Sequence, residues 1–128
     1  MALVDADDRH HGALRRLYED DPDAWVVPWA VLPEVDYLLA EHVGPKARDA
    51  FLSDLRDGVW AVEWGDDLDL VRAAELHRRY RALAVGLVDG VVISVAERLG
   101  AEAIATLDLR HFGVVAIAGK PKLLPRDL

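Results

Sequence analysis

The chain contains no cysteine among its 128 residues. Disulfides and thiolate metal sites are therefore excluded, and any metal ion has to be bound by carboxylates, histidines, carbonyls or water. No apolar run reaches the roughly 18 residues needed to span a bilayer. The N-terminus turns acidic at Asp5, Asp7 and Asp8, which is the wrong order for a signal peptide. These absences predict a cytoplasmic protein without a membrane segment.

Basic residues are also scarce, since 15 Lys and Arg stand against 23 Asp and Glu, for a formal net charge of -8. A protein that holds nucleic acid mainly by neutralising phosphates is normally basic. The negative charge fits either an acidic site that needs a cation or a solvated surface that only aids solubility. What the chain does have is a 52% hydrophobic fraction, which argues against disorder and predicts a single domain over residues 1–128.

Apolar residues recur with two different periods along the chain. Helices are predicted over residues 12–19, 31–42, 46–56, 67–80 and 89–99, and strands over 24–27, 59–62, 103–107 and 114–117. For the helix 67–80, Leu70, Ala73, Ala74 and His77 are predicted to lie on one side, with His77 at the surface or boundary. Strands that alternate with amphipathic helices indicate an α/β fold with a parallel sheet covered on both sides. In such sheets, ligands bind beyond the carboxyl ends of the strands.

Three acidic residues occupy positions of this kind. Glu34 lies in the first turn of a predicted helix, Asp89 begins another, and Asp108 directly follows the predicted strand 103–107. Carboxylates that converge need a cation, and a set of hard oxygens suits Mg²⁺ or Mn²⁺. A structural explanation stays open for each, because acids favour the first turn of a helix and Asp favours turns.

The sequence around these acids resembles three conserved motifs of PIN domains, in particular the VapC toxins. The segments are Pro33-Glu34-Val35-Asp36-Tyr37-Leu38-Leu39, Gly86-Leu87-Val88-Asp89-Gly90-Val91-Val92 with Ala96-Glu97-Arg98-Leu99-Gly100, and Ile104-Ala105-Thr106-Leu107-Asp108-Leu109-Arg110-His111-Phe112. No single motif is specific. Their order and their separations together make the resemblance fairly specific, and it extends from about Asp5 to the C-terminus.

The resemblance implies a three-layer α/β/α fold with a mainly parallel central sheet. It implies a Mg²⁺-dependent endoribonuclease in which metal-activated water attacks the phosphodiester, with Mn²⁺ as another suitable ion. Glu34, Asp89 and Asp108 would bind the metal directly or through water. The implied partners are an RNA substrate such as tRNA, a second copy of the chain in a homodimer, and a cognate VapB-type antitoxin.

The N-terminus departs from the family pattern. Such PIN domains begin with an apolar strand that ends in a metal-binding Asp, whereas Ala2 to His11 resembles the acidic loop that follows later. We therefore expect the first strand to be missing, which would leave backbone groups of its neighbours unpaired. We predict either that the natural start codon lies upstream, or that the short form is unstable or associates to cover the gap. Extending the chain upstream should raise its thermal stability, and no gain would contradict the missing strand. In the alternative interpretation, Leu3-Val4-Asp5 is itself the shortened strand with its ligand.

Two further interpretations of function remain. The chain could be a non-catalytic PIN-fold module that binds an antitoxin without cutting RNA. It could also be an unrelated acidic α/β module, such as a receiver-like signalling domain, for which Lys120-Pro121 offers only a loose match. Arg72, Arg78, Arg79 and Arg81 form one of the few basic clusters, which fits either RNA phosphate contacts or a solvated helix face.

Overall fold

The structure is a computed structural model that describes residues 11–106, 109–124 and 126–127. It divides into two compact units, residues 1–63 and 64–128. In chain order the elements are α1 (His11–Asp20), β1 (Val27–Pro28), α2 (Leu32–His42), α3 (Pro45–Arg56), β2 (Val62–Glu63), α4 (Asp67–Arg79), α5 (Leu87–Leu99), β3 (Ala103–Ala105), α6 (Leu109–Phe112) and β4 (Lys122–Leu124). No helix in this described part is long and apolar enough to cross a membrane.

The first unit combines three helices with one short parallel strand pair. In this pair Val27 lies opposite Val62, and the Val27 amide donates to the carbonyl of Ala61 at 2.8 Å. The ring of Tyr18 on α1 packs edge-on against the ring of Trp25. It also contacts the ring of Trp60, with the two ring centroids 5.1 Å apart. Aromatic contacts therefore connect α1 to the chain segments next to both strands.

The second unit is built on a helical hairpin of α4 and α5. A core cluster joins this hairpin to the second parallel strand pair, in which Ile104 lies opposite Leu123. The buried members of the cluster are Leu76, Val85, Ile93, Ala96, Ile104, Phe112, Val115, Ile117 and Leu123. Helices and parallel strands together give an α/β fold, as the sequence predicted.

All five predicted helices are confirmed to within two residues at each end. Local signals explain this accuracy. Asp66 caps α4 by accepting from the Leu68 amide, and Asp69 completes the capping box by accepting from the Asp66 amide. Gly100 ends α5 at a φ of 61°, in the left-handed region that favours glycine.

The predicted strands are less accurate. Residues 22–24 form a 3-10 turn, so β1 begins only at Val27 rather than at Ala24. β2 is limited to Val62–Glu63, and β3 ends at Ala105, with Leu107 outside the described residues. Residues 114–117 are not a strand, and the fourth strand is Lys122–Leu124. Apolar residues led to this prediction, but Val115 and Ile117 are buried without strand pairing, whereas Lys122–Leu124 in the Lys- and Pro-rich tail pairs with β3.

Of the residues predicted to share one side of α4, only Ala73 is buried, and His77 is exposed as expected. The buried residues of this helix are Asp69, Ala73 and Leu76, whereas Leu70 is 48% exposed and Ala74 and His77 are also exposed. A prediction from apolar periodicity assigns the wrong side of the helix to the core, because it places every carboxylate at the surface. Asp69 is buried because α5 supplies polar partners for it.

Candidate active site

Asp89 lies in the first turn of α5, three residues after the N-terminal cap Gly86. Its side chain is 25% exposed, so the carboxylate is half-buried but accessible to solvent. The positive end of the helix dipole favours a negative charge here. The location alone is therefore compatible with a structural role. A functional role requires contacts that orient the Asp89 carboxylate for a ligand.

His111 is the residue that contacts this carboxylate. Its Nδ1 forms a short contact with Oδ2 of Asp89, and its Nε2 lies 2.8 Å from the carbonyl oxygen of Leu83. The imidazole thus joins α6, the turn before α5 and the first turn of α5. His111 belongs to the motif that contains Asp108, but no role was predicted for it. Its position three residues after Asp108 is the signal that the sequence offers.

The two contacts of His111 hold its ring in place. A carbonyl oxygen only accepts, so Nε2 donates to Leu83. Nδ1 is then the ring atom that contacts Oδ2 of Asp89, and this contact restricts the orientation of the carboxylate. Oδ1 of Asp89 has no hydrogen-bond or ion-pair partner among the described residues and remains available to a ligand.

At the other end of the hairpin, Asp69 fixes α5 against α4. Its carboxylate is 1% exposed and accepts from the Ser94 hydroxyl at 2.7 Å and from the Arg98 guanidinium at 3.0 Å. Burial alone would raise the pKa of Asp69, but hydrogen bonds from Arg98, Ser94 and the Asp66 amide together outweigh it and lower that pKa. The ionised form is therefore the one that connects the two helices.

A close backbone approach at Gly90 fixes the hairpin beside Asp89. A Cβ atom added to Gly90 would lie 2.7 Å from the Cβ of Ala73 and 2.8 Å from its Cα. No side chain fits in that space, so glycine is required for α5 to pack this closely on α4. The residue next to Asp89 thus determines how deeply the first turn of α5 lies against its neighbour.

Glu34 belongs to the first unit, where it lies in the first turn of α2 after Pro33. Its side chain is exposed, and it makes no hydrogen bond or ion pair with any described residue. The nearby Asp36, by contrast, forms a bidentate pair with Arg48 at 2.8 Å, and this hydrogen bonding lowers the pKa of Asp36. Of the two acids, Glu34 is the one left available for a ligand.

The remaining predicted ligands fall on residues that the structure does not describe. Asp108 lies outside the described residues, as do Asp5, Asp7 and Asp8 of the N-terminal segment. Within the described residues, no group of three or more His, Asp or Glu side chains is close enough to hold a metal ion. The three-acid metal site therefore stays a prediction. Of its acids, Asp89 is the one for which the described residues show a side-chain partner, His111.

Comparison with known proteins agrees with the resemblance seen in the motifs. The PIN domain family model matches residues 1–117. The chain belongs to the PIN-domain family. A protein named Ribonuclease VapC26 from Mycobacterium tuberculosis (strain ATCC 25618 / H37Rv) is 32% identical over 119 residues, which cover 93% of this chain and 88% of the relative. The predicted α/β PIN fold and the VapC-type recognition are thereby confirmed.

Two carboxylates of this PIN domain are chemically suited to bind a hard divalent cation. Glu34 and Asp89 both offer carboxylate oxygens, and neither forms an ion pair with a described Lys or Arg side chain. Oxygen ligands of this kind suit Mg²⁺ and Mn²⁺, and cysteine is absent from the whole chain. His111 is a polar partner behind one carboxylate, an arrangement that often orients metal ligands.

Proposed function

We propose that this protein is a Mg²⁺-dependent endoribonuclease toxin of the VapC type, which hydrolyses RNA phosphodiesters. The family match and the relative named as a ribonuclease support RNA cleavage. The observation that carries the proposal is the Asp89 carboxylate, which is accessible to solvent and oriented by His111 at the start of α5.

In this proposal Glu34, Asp89 and Asp108 bind the ion directly or through water. When bound, a divalent cation activates water and stabilises the charge on a phosphate that undergoes displacement. His111 contacts Oδ2 of Asp89, so the carboxylate would lose little side-chain freedom on binding a ligand through Oδ1. The Asp69 network and the Gly90 contact hold α5, and therefore Asp89, in a fixed position on α4.

The proposed partners follow from the same family membership. We expect structured RNA such as tRNA as the substrate, a VapB-type antitoxin as the inhibitor, and a homodimer as the working assembly. The similarity to a protein named as a ribonuclease supports the ribonuclease activity only. The antitoxin would bring a basic side chain to the acidic site, because a guanidinium pairs well with carboxylates.

The decisive experiment is cleavage of total tRNA with Mg²⁺ present or chelated. The variants are Glu34→Gln, Asp89→Asn and Asp108→Asn, which remove charge with little change in shape. Asp57→Asn is the matched control, since Asp57 is an exposed acid at the end of α3. We expect chelation and each site variant to abolish cutting, whereas the control retains it.

The same experiment separates this proposal from a non-catalytic PIN module. A folded wild-type protein that never cuts RNA but binds an antitoxin would support the binding module instead. Cutting that survives Asp89→Asn at full rate would remove Asp89 from the site and contradict the mechanism. Circular dichroism of every variant shows whether a loss of cutting is only a loss of folding.

A further inference from the structure

The basic cluster predicted in the sequence divides into two kinds of arginine. Arg72 is ion-paired, since its guanidinium bonds Glu97 at 2.9 Å and approaches Glu75 at 3.5 Å. Arg78, Arg79 and Arg81 are exposed, and none of the three has a carboxylate within ion-pairing distance among the described residues. We call these three residues the arginine surface.

Most other described arginines are paired with acids. The pairs are Arg15 with Glu19, Arg48 with Asp36, Arg56 with Asp57, Arg98 with Asp69 and Arg126 with Asp127. Residues 64–128 contain nine acidic and nine basic residues, so three unpaired cations side by side are not explained by an excess of positive charge. Arg72, Glu75, Arg78 and Arg79 line an open depression of about 360 Å³.

The arginine surface lies at the same end of the helical hairpin as Asp89. Contacts run from Asp69 to Arg98, from Ala73 to Gly90 and from His77 to Val85, so α4 and α5 are antiparallel. The last turn of α4, with Arg78 and Arg79, is therefore beside the first turn of α5.

Arg81 belongs to the turn that leads from α4 to the site. It begins the 3-10 segment Arg81–Leu83, and the Leu83 carbonyl accepts from His111, which in turn contacts Asp89. The guanidinium of Arg79 lies 5.6 Å from the centroid of the Tyr80 ring, whose hydroxyl accepts from the Ala116 amide. Arg79 thus makes a cation–π contact with the Tyr80 ring, whose position is fixed by its own hydrogen bond.

We propose that the arginine surface binds backbone phosphates of the RNA on the flank of the site that contains Asp89. This inference rests on the proposed ribonuclease function and deepens it. Guanidinium groups match phosphate oxygens in geometry and stay charged at every working pH. In a protein of net charge -8, a local cluster of unpaired cations is needed to hold a polyanion near an acidic site. Contacts of this type position the RNA without reading its bases.

The test measures RNA binding apart from cutting. Fluorescence anisotropy of a labelled single-stranded oligoribonucleotide in EDTA gives Kd over a series of salt concentrations. The variant is R78Q/R79Q/R81Q, and the matched control is R15Q/R16Q/R56Q, which removes three exposed charges from the first unit. R78K/R79K/R81K keeps the charge and should retain most of the binding.

We expect the glutamine variant to bind RNA at least about tenfold more weakly at low salt. Its slope of log Kd against log salt should fall by about 2, since each phosphate contact contributes roughly 0.7 for a single strand. The control should keep the wild-type slope. Equal binding by the glutamine variant and the wild type, in a protein that cuts RNA, would overturn the arginine surface and leave the ribonuclease function intact.

Two other outcomes also overturn the inference. A wild-type protein that neither binds nor cuts RNA contradicts the function and the surface together. Labelled polyglutamate that binds in an arginine-dependent way, while RNA binding does not change, would assign the surface to an acidic protein segment. Thermal unfolding of the three variants shows whether any of them has lost its fold.

Discussion

The two units of this PIN domain differ in how their residues are held. Of the 14 buried apolar residues described, 12 belong to residues 64–128, and only Ala30 and Leu39 belong to the first unit. The first unit has 14 acidic and six basic residues, whereas the second has nine of each. The whole net charge of -8 thus resides in the less buried unit.

The ion pairs show the same difference. In the second unit the Asp69 carboxylate is 1% exposed and bonded by side chains of α5, whereas in the first unit the Asp36 and Arg48 side chains are 26% and 47% exposed. The second unit therefore presents Asp89 on a firmly packed helix, and the first presents Glu34 on an exposed helix surface.

The largest expected effect comes from removing the buried carboxylate. Asp69→Ala removes the buried carboxylate that accepts from both Arg98 and Ser94, so unfolding should become easier by about 3 kcal/mol or more. Asp36→Ala, the control in the first unit, should lower the stability much less because its ion pair is exposed to solvent. Urea unfolding followed by circular dichroism measures both. Equal costs would end the contrast between the units.

The next effect tests the close packing beside Asp89. Gly90→Ala forces a methyl group into Ala73, and such overpacking should cost about 1–3 kcal/mol despite the better helix propensity of alanine. Gly86→Ala is the control, since a Cβ there meets no atom within 4 Å. Thermal unfolding should separate the two variants. A Gly90→Ala protein as stable as the wild type would show that α4 and α5 can move apart at this point without loss of stability.

A smaller effect is expected at His111. His111→Ala frees the Asp89 carboxylate, and losing a partner of this kind typically weakens metal binding by about 10- to 100-fold. His42→Ala, an exposed histidine at the end of α2, is the control and should leave the affinity unchanged. Titration calorimetry with Mn²⁺ gives the affinity independently of RNA cutting. Unchanged affinity in His111→Ala would mean that the carboxylate is held by other contacts.

The smallest effect is a pH dependence at acidic pH. Because hydrogen bonds lower the pKa of Asp69 in the folded state, its contribution to stability is complete above the unfolded pKa of about 3.9 and is lost as pH falls through the folded value. Asp69→Asn should flatten this part of the curve, whereas Asp36→Asn should change it little. Urea midpoints between about pH 2 and 6 give the comparison. A curve unchanged by Asp69→Asn would remove Asp69 as its source.

The sequence was most informative where structure is local. Helix periodicity, the cap at Asp66 and the stop at Gly100 located five helices, because their hydrogen bonds form between residues close in the chain. The motifs located Asp89 in the first turn of α5 and Glu34 in that of α2, and the family resemblance is confirmed. The role of Asp108 and the expected missing first strand stay predictions.

What only the tertiary structure decided is which residues find distant partners. The short segment Lys122–Leu124 is a strand because it pairs with β3, whereas the longer apolar segment 114–117 has no strand partner. Asp69 is buried because Ser94 and Arg98, 25 and 29 residues further along the chain, satisfy its oxygens. His111 meets Asp89 across 22 residues. Residue pattern determines local backbone form, whereas a buried charge or an oriented carboxylate depends on groups that only folding brings together.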